Sequence, residues 1–106
     1  RVKMVIVDER KSLKDRIEEN RQFAENVYKT GAERVAKDII SQITSTRLTR
    51  GHVSYPTKVK NDLRRLNLEV DEQELIRHIV KYFRESEGVD VTVTKSRFVD
   101  TFEWSV

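Results

Sequence analysis

The chain is expected to fold as an α+β domain with a helical core and a C-terminal β-hairpin, and three observations carry that expectation. The densest apolar stripe, Val35, Ala36, Ile39, Ile40 and Ile43, recurs at the three- and four-residue spacing of one helix face. Val89, Val91 and Val93 alternate with Asp90, Thr92 and Thr94, the two-residue period of a half-buried strand. Between these stretches, Pro56, Asn67 and Gly88 punctuate two further helical patterns, at positions suited to a start, a left-handed cap and a stop. With 106 residues, the chain has the length of one domain and can bury about two-thirds of the surface its unfolded form exposes.

Composition narrows the function classes. There is no cysteine, so disulfides and thiolate metal sites are excluded, and His52 and His78 are the only imidazoles. No metal and no cofactor is expected. Hydrophobic residues make up 37% of the chain, and its longest wholly apolar run is Met4-Val5-Ile6-Val7. That run is far short of the ~20 residues that span a bilayer. With no signal-peptide pattern either, a cytoplasmic protein without a membrane partner is expected. Gly-rich phosphate loops and Ser/His/Asp arrangements are missing, and the acidic neighbours Asp8-Glu9 and Asp71-Glu72 lack a third ligand or a nucleophile. Neither catalysis nor a small-molecule substrate is expected.

Taken in order, residues 2–7 read as a strand because β-branched residues dominate until Asp8 and Glu9. Ser12 is placed to cap a helix over residues 13–29, with Asp15 in its first turn. The apolar face of this helix, Leu13, Ile17, Phe23, Ala24, Val27 and Tyr28, is interrupted by Asn20. Thr30-Gly31 reads as a break, followed by the strongly apolar helix 32–44. The polar run from Thr44 to Arg47 and Gly51 lead to a short strand at residues 53–55.

Pro56 opens the next helix, 58–67, whose buried positions are Val59, Leu63 and Leu66. Leu68 and Val70 are expected to pack beneath the turn that follows Asn67. Asp71 with Glu74 forms a capping-box-like pair for helix 72–86, with Leu75, Ile76, Ile79, Val80 and Phe83 facing inward. His78 reads as a boundary histidine, because no second histidine or cysteine lies at ligand spacing. Strand 89–94 and a turn at Lys95-Ser96-Arg97 precede a final strand, 98–106, in which Phe98, Phe102, Trp104 and Val106 share one face.

From residue 32 onward the order is helix, strand, helix, turn, helix and hairpin, which resembles a winged helix-turn-helix domain. In this reading residues 32–106 form a winged-helix-like domain, and residues 1–31 add an N-terminal strand and helix. The resemblance implies that the second helix of the pair enters the DNA major groove through Gln73, Arg77, His78, Lys81 and Arg84. Lys95 and Arg97 become hairpin-tip contacts, while Lys58, Lys60, Arg64 and Arg65 hold phosphates. The charge distribution agrees with this. Arg47, Arg50, Lys58, Lys60, Arg64 and Arg65 face Asp62 alone between residues 47 and 66, although the net charge is only +3. The first turn of the reading helix departs from the pattern, because Asp71, Glu72 and Glu74 would repel phosphates. The helix would then dock by its middle.

The expected function is therefore a non-enzymatic regulator that binds nucleic acid, with DNA favoured over RNA. The alternative is a protein-interaction module. Phe23, Val27 and Tyr28 have no assigned partner in so small a core, and an unpartnered stripe on an added helix suits a homodimer or another protein.

Overall fold

In a computed structural model, the structure describes residues 12–106. The expected strand at residues 2–7 and the Asp8-Glu9 pair lie outside them. The domain is α+β, with three helices and a three-stranded antiparallel sheet among the described residues. The elements are α1 (Leu13–Thr46), β1 (Arg50–Ser54), α2 (Thr57–Arg64), α3 (Glu72–Tyr82), β2 (Thr92–Lys95) and β3 (Thr101–Ser105). Helix α3 continues as a π-helical turn, Phe83–Glu87.

Helix α1 overturns the expected break at Gly31. It is one helix of 34 residues, about 51 Å long at ~1.5 Å per residue, in a molecule 61 Å along its longest axis. Val27, Tyr28, Gly31, Ala32, Val35, Ala36 and Ile39 form one buried stripe across the glycine. A β-carbon at Gly31 would lie 2.5 Å from Cγ2 of Val59 on α2. The absent side chain lets α2 press onto α1, and this packing offsets the ~1 kcal/mol that glycine costs a helix. The expected boundary between residues 31 and 32 thus falls inside an unbroken helix. Helix α1 ends at Arg47, whose left-handed backbone donates its N–H to Ile43 O at 3.0 Å.

Other local signals act as expected. The Ser12 hydroxyl accepts from Asp15 N–H at 3.1 Å, and the Asp71 carboxylate accepts from Glu74 N–H at 3.2 Å. Asn67 and Gly88 both adopt left-handed conformations. Pro56 precedes the first turn of α2.

In the sheet, β3 lies between β1 and β2, which pairs Phe102 with Val53 and Lys95, and Trp104 with Gly51 and Val93. Phe102 and Trp104 are buried with Val53 and Val93 on the face that meets the helices. Phe98 and Val106 do not join them. β3 begins only at Thr101, and Phe98 sits on the connecting loop, 57% exposed, beside Val99 at 79%. The loop is closed by its own backbone: Ser96 N–H donates to Thr101 O at 3.0 Å, and Asp100 takes a positive φ. Leu68 is also exposed instead of packing beneath the α2–α3 turn, whereas Val70 packs against the core.

Candidate nucleic-acid interface

The inward stripe of α3, Leu75, Ile76 and Ile79, holds the helix against α1 and the sheet. Its opposite face therefore points to solvent. Gln73, Arg77, Lys81 and Arg84 are all exposed, at spacings of three and four, and form one polar, basic line along α3 and its π-helical extension. This line is not wholly free. Arg77 pairs with Glu74, and Arg84 Nε lies 3.2 Å from an Asp90 carboxylate oxygen. Lys81 has no carboxylate partner among the described residues, and neither do Arg64 and Arg65 at the end of α2. Arg64 and Glu72 line one concavity beside the α2–α3 turn.

Three of the expected phosphate contacts are engaged inside the domain. Lys58 Nζ lies 2.6 Å from Asp62, a carboxylate whose side chain is 13% exposed. Lys60 reaches Asp100 at 2.8 Å, and Lys95 reaches Glu72 at 2.8 Å. The last two pairs belong to one network centred on Tyr55, just after β1. Its hydroxyl donates to Asp100 at 2.9 Å or to Glu72 at 3.2 Å. Tyr55 N–H donates to Asp100 O at 3.1 Å, and the Tyr55 ring packs against Phe102. The network ties α2, the start of α3 and both ends of the hairpin loop together.

Titration behaviour follows from this wiring. Burial, reinforced by the Asp100 and Glu72 carboxylates, holds the Tyr55 phenol well above its ordinary range. The hydrogen bond from Lys60, helped by that from Tyr55, holds the Asp100 carboxyl below the ordinary carboxylate range despite the opposing effect of burial. Glu72, which reads from sequence as repulsive to phosphate, is partly neutralised by Lys95. At the hairpin tip, the Arg97 guanidinium lies 5.7 Å from the centre of the exposed Phe98 ring. Tyr55 and Asp100 escaped the sequence reading because they are separated by 45 residues and carry no motif.

The expected partner-binding residues divide. Val27 and Tyr28 belong to the domain's own core: α1 runs unbroken, the Tyr28 ring stacks on His78 of α3, and Val27 lines a groove with Val59 of α2. The Tyr28 hydroxyl also accepts from Asp71 N–H at 2.8 Å, at the start of α3. Phe23 remains 38% exposed on the rim of a groove of about 310 Å³, lined also by Val27, Pro56 and Val59. Further out, Leu13 and Ile17 are exposed at 73% and 49%.

His78 lies on the boundary of α3, as expected, with 14% of its side chain exposed and its ring stacked on Tyr28. Burial lowers its pKa; Glu25 opposes that shift, and Lys81, Arg77 and Lys29 add to it. No helix among the described residues is long and apolar enough to cross a membrane. Comparison with protein-family models, with curated proteins and with solved structures gives no match.

Proposed function

We propose that this domain is a non-enzymatic, winged-helix-type regulator that binds nucleic acid, double-stranded DNA before RNA. The observation that carries the reading is the exposed line Gln73, Arg77, Lys81 and Arg84 on the second helix of the pair. Arg64 and Arg65, exposed and without carboxylate partners among the described residues, act as phosphate contacts. The pairs that occupy Arg77 and Arg84 do not oppose this. An exposed ion pair is worth only about 0.2–1 kcal/mol, so Arg84 can exchange the exposed Asp90 carboxylate for a phosphate, while Arg77 keeps Glu74 and offers its remaining guanidinium N–H groups outward. Lys58, Lys60 and Lys95 have a different role. Their carboxylate partners are partly buried, so in this reading they brace the hairpin and α2 while Arg97 reaches the backbone.

The test is binding to labelled random double-stranded DNA at two salt concentrations. Wild type should bind at micromolar concentration, with an affinity that falls steeply as salt rises. Arg64→Glu with Arg65→Glu should weaken binding uniformly across sequences, whereas Arg77→Ala or Lys81→Ala should change sequence preference. Retained binding in the double variant would refute the role given to α2.

A second reading, a protein-interaction module or homodimer, is favoured by the exposed Leu13, Ile17 and Phe23 on the outer half of α1. Absence of DNA binding at low salt, together with a solution mass above that of a monomer, would select it.

A further inference from the structure

Helices α1 and α3 bring three potential ligand atoms to one spot on the domain surface. Glu25 comes from α1, and Glu74 and His78 come from successive turns of α3. One oxygen of each carboxylate and a ring nitrogen of the histidine all lie within 4.8 Å of one another. His78 Nε2 stands 3.4 Å from Glu74 Oε2 and 3.6 Å from Glu25 Oε2. Both distances exceed the about 2.7–3.2 Å of a good N–H···O hydrogen bond. With the imidazole neutral, Nε2 can offer at most one proton, so it cannot satisfy both carboxylates.

The two distances from His78 Nε2 suit a different occupant. Ligand bonds of about 2.0–2.2 Å to a tetrahedral zinc ion place the donor atoms roughly 3.3–3.6 Å apart. We propose that Glu25, Glu74 and His78 form a binding site for a borderline divalent cation of the zinc type, joining α1 to α3.

Three features favour that occupant. Two carboxylates offset the charge of a divalent ion, and an imidazole nitrogen selects zinc-like metals over magnesium or calcium. The ligands are oriented from behind: Arg77 bonds the other oxygen of Glu74, and Tyr28 stacks on the His78 ring at an interplanar angle of 6°. The cluster also opens into a surface concavity of about 400 Å³ that includes Glu25, Lys29, His78 and Lys81. The Glu25 side chain is 62% exposed, which leaves room for water to complete the coordination shell. The sequence hides this set, because Glu25 lies on a different helix from Glu74 and His78.

Isothermal titration of the full chain with zinc chloride, repeated with cobalt chloride under an absorption readout, tests the site. Wild type should take up one equivalent, give the visible bands of a low-coordinate cobalt centre, and melt at a higher temperature with zinc present. Glu25→Gln and His78→Ala should each lose affinity by more than roughly tenfold, with Glu25→Gln keeping the wild-type circular dichroism spectrum. Glu25→Gln changes an exposed side chain and so keeps the test independent of folding. Absence of uptake at 100-fold excess zinc overturns the proposal. Uptake unchanged in both variants also overturns it, because the metal would then sit elsewhere.

Discussion

Replacing Gly31 with alanine sets two effects of known size against each other. In an isolated helix the change is favourable by about 1 kcal/mol, because alanine loses less backbone freedom. Here the added methyl group would stand 2.5 Å from Val59 Cγ2, and Val59 is only 3% exposed. A β-branched side chain in a packed core yields little, and overpacking by one methyl group costs about 1–3 kcal/mol. The net expectation for Gly31→Ala is a loss of up to about 2 kcal/mol. Urea unfolding followed by circular dichroism reads this as a lower midpoint at an unchanged slope. Val59→Ala alone should cost on the order of 2 kcal/mol through its cavity. The double variant should then be more stable than the summed losses by about 1 kcal/mol or more, since the new methyl enters the space vacated by Val59. A stabilised Gly31→Ala, or strict additivity, would refute the account of why α1 continues through its glycine.

Further outcomes follow from the same contacts. Asp71→Ala should cost about 1 kcal/mol by removing the carboxylate that caps α3, with thermal unfolding as the measure. Tyr28→Phe should cost a comparable amount, roughly 1 kcal/mol, because Asp71 N–H then loses its acceptor. Val27→Asp should abolish the cooperative unfolding transition, since it buries a charge in the core, whereas Phe23→Asp should leave a folded domain. The Asp100 carboxyl is held below its ordinary value, so the stability it contributes is complete above about pH 4. That contribution is lost as pH falls through its folded value. The gap between wild type and Asp100→Asn in urea midpoint should therefore be present at neutral pH and close below about pH 4. A gap that persists into strong acid would show that Lys60 and Tyr55 do not depend on the ionised carboxylate.

The sequence by itself determined the α+β class, the helix caps at Ser12 and Asp71, and the left-handed turns at Asn67 and Gly88. These follow from local chemistry: a side-chain acceptor within reach of first-turn amides, residues that tolerate positive φ, and apolar periods of two and 3.6. The exposed line on α3 was legible for the same reason, since the inward stripe dictates which residues remain outside. Tertiary structure alone decided the rest. Whether Gly31 breaks a helix depends on what presses against it, and Val59 lies 28 positions further along the chain. Whether a lysine is available to a phosphate depends on a carboxylate brought in by another element, as Asp100 is to Lys60 across 40 residues. Helical periodicity ranks the faces of one helix, but packing chooses the neighbours that each face meets. For that reason Tyr28 became a core residue and an acceptor for α3, and for the same reason Glu25 and His78 meet on the surface.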